Sequence, residues 1–428
     1  MNGGVAEEMF QATHTHNGNK QSMEANVINH AGPRLTLGLI FTILVTGALA
    51  FLQVYSIQSI LPVLMQEFHA DAPAAGSTVG ATVLAVAIMS PFMGMISDAL
   101  GRKRFIVGSV FFLSLPTIAM YFVQDIGQMW WLRFLQGLAV PGITVVLLAY
   151  IGEEFMGTVR VRLMTFYVSG TVLGGFLGRF LMGYLTEFIG WRHAFLLMGL
   201  LSIAGAILVW RQLPASRQFV PEPRVSTALT TLWHHVKNRH VLAACALGFC
   251  VLFSLVGCFT YINLYLDQPP YQLSSAQLAD IFAVYLIGMV ITPISARLIV
   301  ALGANRTVLL AVALSVFGVL LTLLPPLWGI VLGLVLMSSG VFITQSATIN
   351  YIAHHVSEGR SLASGLYYMA YYSGGFVGAW LCGHAFEQGG WVSTTSTLVA
   401  VQVIAMVIGG VLMAKKPKEQ YPTANQHH

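Results

Sequence analysis

Charge is what this sequence has least of. Only 9% of its 428 residues are Asp, Glu, Lys or Arg, against 56% apolar, whereas an ordinary soluble domain is roughly a quarter charged. Twenty-one basic and 16 acidic side chains cannot wet the surface of a chain this long. A water-soluble enzyme is therefore excluded, and most of the surface must face lipid. Cysteine is scarcer still. Cys245, Cys250, Cys258 and Cys382 lie in apolar stretches without paired ligand spacing, so neither a disulfide framework nor a zinc site is expected. The net charge of +5 is scattered in twos and threes rather than drawn into a stripe, which argues against nucleic acid as a partner. No Walker loop for ATP is present, and no nucleophile, base and metal ligands gather at one depth, so no cofactor, metal or catalytic residue is expected. Histidine pairs such as His234 and His235 or His354 and His355 fall in tails and loops, without further ligands. Residues 1–33 are polar, contain Glu7, Glu8 and Glu24, and lack the apolar core of a secretory signal.

What the chain has in abundance is long apolar runs. Twelve are long enough to cross a hydrocarbon layer of about 30 Å, at about residues 35–63, 75–98, 105–123, 128–152, 162–186, 191–211, 241–266, 276–301, 307–325, 328–353, 361–385 and 391–414. A membrane β-barrel would show short alternating segments instead. The expected fold class is thus all-α integral membrane, with twelve transmembrane helices. If the N-terminus is cytoplasmic, 18 of the 21 basic residues fall in or beside interior segments. Only Arg133, Arg179 and Arg192 do not, so both termini are expected in the cytoplasm. The Pro-containing, basic stretch 212–240 divides the helices six against six. The expected organisation is a polar tail at 1–33, a first half at 34–211, a cytoplasmic linker at 212–240, a second half at 241–414 and a tail at 415–428.

The two halves repeat one another. GGFLGRFLMGYLTEFIGW at 174–191 returns as GGFVGAWLCGHAFEQGGW at 374–391, with nine of eighteen positions identical. In a second register Pro91, Leu100, Gly101 and Arg104 match Pro293, Leu302, Gly303 and Arg306. Six helices separate the copies, so both have the same orientation. Two parallel six-helix halves around a midplane site form an architecture used for alternating access.

The loop between the second and third helices reads GMISDALGRKR, from Gly94 to Arg104. It resembles the signature loop of the major facilitator superfamily, matching it at Gly94, Asp98, Gly101, Arg102 and Lys103 and departing at Ile96, Ser97 and Ala99. The resemblance implies a conformational latch, in which Asp98 docks at the start of the eleventh helix, Ser361–Gly365, against exposed N–H groups. Val300 replaces this Asp in the second half. Arg133, Gln136 and Gly137 resemble a second signature, tied to proton coupling in antiporter branches. Gly170, Gly174 and Gly178 on the fifth helix, with Gly374 and Gly378 on the eleventh, form small-residue ridges that let helices approach. Gly175 and Arg179 stand where the drug:proton antiporter pattern has Pro and a further Gly. YSIQSILP, from Tyr55 to Pro62, is similar to the bacterial twelve-helix multidrug-type branch, near transporters named for acriflavine sensitivity.

All sixteen acidic residues fall in tails, loops or helix ends, which counts against a pump for lipophilic cations. Arg133 and Arg179 are expected about 5 to 8 Å inside the outer hydrocarbon boundary, either lining an outward vestibule that attracts an anion or snorkelling to headgroups. Asp98, Glu153 and Asp280 are the carboxylates available for proton coupling. Glu153 and Glu154, close in sequence to Arg160 and Arg162, read as a solvated ion-pair loop. The resemblance implies that the first, fourth, seventh and tenth helices line the pathway, which gives Gln53, Gln58, Gln136, Asn263 and Gln345. Tyr367, Tyr368, Tyr371 and Tyr372 form two pairs at four-residue spacing, with Tyr371 the candidate for substrate stacking. The function expected is secondary transport of a small molecule by alternating access, with proton-coupled efflux of amphipathic, drug-like compounds as the leading reading. The alternatives are a porter for a polar metabolite such as an organic anion, and a non-transporting membrane sensor or scaffold. The expected partners are a small-molecule substrate, protons and the lipid bilayer. The protein is expected to be a monomer in the bacterial inner membrane.

Overall fold

The computed structural model describes residues 36–216, 237–356 and 360–412. The expected tails at 1–33 and 415–428 and most of the linker at 212–240 lie outside the described residues. So do the side chains at 94, 95, 98–100, 360–362 and 412, which takes in the expected contact of Asp98 with Ser361. The described chain is all-helical. In order the spans are α1 (Leu37–Val54), α2 (Ala72–Leu100), α3 (Arg102–Ala119), α4 (Ile126–Glu154), α5 (Gly157–Ile189) and α6 (Trp191–Gln212). The second half has α7 (Arg239–Leu266), α8 (Ser275–Leu302), α9 (Ala304–Leu321) and α10 (Leu327–His355), followed by α11 (360–388) and α12 (391–412). The last two run on as one helical stretch, broken where Gly389 and Gly390 leave helical geometry.

The repeat read from the sequence recurs in the backbone. Among the described residues five glycines at hairpins lie in the positive-φ region, Gly157 at φ 55° and four that pair in the repeat: Gly101, Gly190, Gly303 and Gly390, at φ 85°, 80°, 79° and 60°. Gly101 pairs with Gly303 and Gly190 with Gly390 in the two registers of the repeat. A residue with a Cβ resists this conformation. The helix contacts repeat as well. Gly170, Gly174 and Gly178 of α5 lie against the backbone carbonyls of Leu44, Ala48 and Leu52 of α1, and Gly374 and Gly378 of α11 lie against those of Phe249 and Phe253 of α7. In lipid no hydrophobic force draws helices together, so backbone-to-backbone approach over small residues must hold them.

The first span departs from expectation. Read as one helix over 35–63, it ends at Val54, passes through a 3-10 turn at Ser56–Ile60 and resumes as a short helix at Leu61–Phe68. Pro62 contributes to the break, because it has no N–H for the carbonyl of Gln58.

The two kinds of glycine on α5 give a test. A Cβ on Gly174 would be driven into the Ala48 carbonyl, whereas one on Gly175 would find its nearest neighbour at 3.6 Å. Gly174→Ala should therefore destabilise the detergent-solubilised protein by about 1–3 kcal/mol, and Gly175→Ala should leave its unfolding temperature within error of wild type.

Candidate functional site

The break in α1 creates unpaired carbonyls inside the membrane, and Arg133 takes them. Its guanidinium, fully buried, donates to the carbonyls of Gln53 at 2.7 Å and of Val54, and to Gln136 Oε1 at 2.6 Å. Gln136 Nε2 in turn donates to Thr117 Oγ1 at 2.6 Å. A helix C-terminus carries partial negative charge, so a cation suits this position. Arg133 thus neither lines a vestibule nor snorkels. It is spent on holding α1, α3 and α4 together. Gln53 also turns away from the centre, donating to the Met198 carbonyl at 3.2 Å and Ser202 Oγ at 3.0 Å on α6.

Arg179 has a different environment. Its Nε donates to Gln58 Oε1 at 2.7 Å and a terminal nitrogen donates to the Gly175 carbonyl at 2.6 Å. The guanidinium carbon lies 4.5, 4.7 and 4.6 Å from the ring centroids of Tyr55, Phe282 and Tyr285. The residue is 1% exposed, so snorkelling is again corrected. Among the described residues no carboxylate pairs with it. Gln58 carries the network across the seam between halves: its Nε2 donates to Thr260 Oγ1 at 3.0 Å, and its carbonyl, freed by Pro62, accepts from Asn263 Nδ2 at 3.1 Å. Asn263 Oδ1 is buried without a partner.

Tyr371 packs on Tyr367 and Tyr372. Arg179, Gln58 and Asn263 are therefore brought into one region where the turn after α1 meets α5, α7 and α8, and Tyr371 lies in the tyrosine cluster of α11. Gln345 of α10 is half-buried and, among the described residues, takes no part in this hydrogen-bond network. Tyr55, Thr260, Phe282 and Tyr285 were not singled out from sequence. Tyr55 opens the YSIQSILP stretch, but Phe282 and Tyr285 carry no signal beyond their three-residue spacing.

The hydrogen bonds between halves, among the described residues, run from this centre toward the face opposite the basic loops. Tyr184 of α5 donates to both carboxylate oxygens of Asp280 on α8, at 3.0 and 3.2 Å. Glu187 of α5 accepts from Ser274 Oγ at 2.8 Å and from the Ala276 N–H at 3.1 Å, capping the start of α8 from across the seam. Tyr261 of α7 sits between Gly76 of α2 and Gly383 of α11. On the basic side the ion pair among the described residues lies within one half. Arg102 meets Glu153 with two bonds, at 2.6 and 3.1 Å, and also donates to Ser97. This corrects the reading of Glu153 as part of a loop pair with Arg160 and Arg162: the folded α2–α3 hairpin brings Arg102 to the end of α4. Lys103 is half-buried, and Val300, where the second half lacks the Asp, is exposed.

The sequence matches the Major Facilitator Superfamily over residues 43–379 and again over 268–427. The chain belongs to that superfamily. It is 31% identical to the inner membrane transport protein YnfM of Escherichia coli over 377 residues, 88% of this chain and 89% of that one. It is 25% identical to the chloramphenicol resistance protein CraA of Acinetobacter baumannii, covering 72% and 76% of the two chains. Its fold is similar to the crystal structure of the nucleoside transporter NupG, with a TM-score of 0.73 at 13% identity over 88% of this chain and 99% of that one. Members of the superfamily are small-molecule transporters of the membrane, not enzymes.

Two expectations follow from the face opposite the basic loops. Glu67 accepts from Trp191 Nε1 and from Arg192. Partial burial pushes its carboxyl up, but the two hydrogen bonds and the Arg192 charge outweigh this and hold it below its ordinary value of 4.5. A depressed carboxylate stabilises the fold above its unfolded pKa and loses that contribution as pH falls through the folded one. Wild type should therefore unfold at a higher temperature than Glu67→Gln at pH 7, with the gap closing as pH drops below about 4.5. Glu187→Ala should loosen the cap on α8, raising the labelling rate of a cysteine placed at Ala276 by a membrane-impermeant maleimide several-fold; an unchanged rate would show that the contact does not hold this face closed.

Proposed function

We propose that this superfamily member is a secondary transporter of a small organic anion, whose negative group is received by Arg179. One observation carries the reading: a buried guanidinium without a carboxylate partner, held among three aromatic rings on the seam between the halves. Removing a cation from water costs several kcal/mol unless something offsets it. Cation–π contacts return about 0.5–2 kcal/mol each, and an incoming carboxylate supplies the rest. The site sits where rocking would change access. Its partners belong to α1 and α5 on one side and α8 on the other, so separating the halves removes Phe282 and Tyr285 from Arg179 and opens one edge of the guanidinium. Tyr371 and Tyr372 offer a face for an apolar or aromatic body on the substrate.

In this reading the basic loops and both termini face the cytoplasm of a bacterial inner membrane, the protein works as a monomer, and the described arrangement is closed on the outer face. Its closure is held by Tyr184 with Asp280 and by Glu187 with the start of α8. The Asp98 loop supplies the opposite latch, and Gly94, Gly101, Arg102 and Lys103 shape it. A second reading, export of drug-like amphipathic compounds in exchange for protons, is favoured by the similarity to CraA. Asp280, Glu153 and Asp98 are then the groups that exchange the proton, and Asp280 is placed to do so because its carboxylate joins the halves through Tyr184.

The two readings separate on ligand binding. With small organic acids, lipophilic cations and neutral drugs as thermal-stabilisation ligands, acids should stabilise wild type, and Arg179→Gln should weaken their binding by about ten- to a hundredfold, the value of a charged hydrogen bond. Arg179→Lys should keep part of the affinity. Equal stabilisation of wild type and Arg179→Gln by drugs, with none by acids, would overturn the anion reading in favour of the second.

A further inference from the structure

A groove lies between two helices on the surface of the first half, away from the seam between the halves. The α2–α3 hairpin splays away from its tight turn at Gly101, and both helices pack on α4 rather than on one another. Between them lies a groove of about 510 Å³. Met89 and Met93 form one wall, Phe105 and Phe112 the other, and Ala139 lies at its floor. From Arg104 to Phe112 is eight residues, so the groove runs roughly 12 Å along α3 at 1.5 Å per residue, from the level of the basic loop into the hydrocarbon.

Its two ends differ chemically. The deep end is apolar, with exposed Phe111 and Phe112 continuing it along α3. The shallow end is closed by Arg104, which is exposed and has no salt bridge among the described residues. Between them are Gly108 and Ser109. Gly108 is exposed with nothing within 4 Å of the position a Cβ would occupy, so its lack of a side chain is what keeps the groove open. The Ser109 hydroxyl has no hydrogen-bond partner among the described residues and lines the same space.

We propose that this groove binds one anionic phospholipid from the leaflet on the basic side, an acyl chain lying over Ala139 and the phosphate meeting Arg104, with Ser109 at the level of the glycerol esters. Charge complementarity selects the headgroup: a zwitterionic lipid brings its own cation to Arg104, whereas phosphatidylglycerol leaves its phosphate unopposed. The apolar slot selects a chain and not a soluble anion. The related position in the second half, Arg306 at the start of α9, follows the same turn and serves as the internal comparison. The proposal rests on the membrane placement of the chain and not on which substrate is carried.

The test is native mass spectrometry of the detergent-solubilised protein titrated with phosphatidylglycerol and with phosphatidylethanolamine of identical acyl chains. Wild type should retain one phosphatidylglycerol about fivefold more strongly than phosphatidylethanolamine, as one Arg near the headgroup provides. Gly108→Trp, which fills the groove from a position with open space around it, should lose that bound lipid. Arg104→Gln, an exposed change that does not threaten folding, should keep a lipid but erase the headgroup preference, while Arg306→Gln should alter neither. A preference that survived Arg104→Gln, or a bound phosphatidylglycerol that survived Gly108→Trp, would overturn the proposal.

Discussion

The rest of this structure depends on one constraint: inside the hydrocarbon no water is available, so each buried polar group must be met by the protein itself. The break in α1 is where that constraint becomes visible. Ending a helix at Val54 frees carbonyls within the buried interior, and Pro62 frees one more. Arg133 takes the first group, and Asn263, from the other half, takes the carbonyl of Gln58. A break in one helix thereby ties three helices within a half and then one half to the other.

The two buried arginines show how the same side chain serves opposite ends. Arg133 is bonded entirely within one half, to the backbone carbonyls of Gln53 and Val54 and to the Gln136 side chain, so it can move only with that half. Arg179 is bonded by one carbonyl and one amide and otherwise surrounded by rings, some of which belong to the opposite half. In the proposed rocking of the halves its surroundings change. A charge with incomplete, conformation-dependent neutralisation is suited to meeting a mobile anion; a charge locked to carbonyls is suited to holding a fold.

Close packing sets the frame in which this happens. The glycine ridges of α5 and α11 press backbone on backbone against α1 and α7, making each half a stiff unit. Contacts across the seam combine close packing, with Gly80 of α2 against Phe376 and Ala379 of α11 and Gly183 of α5 against Ser275 and Ala279 of α8, with polar pairs: Tyr184 with Asp280, Glu187 with the start of α8, and Gln58 with Thr260. In the proposed alternating access, the polar groups released at the face opposite the basic loops can return to water at little cost.

The sequence by itself determined the number of helices, the repeat and the family. Each of these is written in long-range regularities: apolar runs of membrane length, glycines recurring two hundred residues apart, and a loop signature around Gly101. It also marked Arg179, Gln58, Asn263 and Tyr371 as polar or aromatic groups that needed explaining. It did not show that Gln53 faces α6, that Glu153 pairs with Arg102, or that Phe282 and Tyr285 enclose Arg179, since these depend on helix rotation and on partners more than fifty residues away. Helix rotation is invisible to hydropathy when a span is apolar on every side, because no amphipathic stripe marks its inward face. Only packing, through the particular glycines at which backbones meet, decided which way each side chain points.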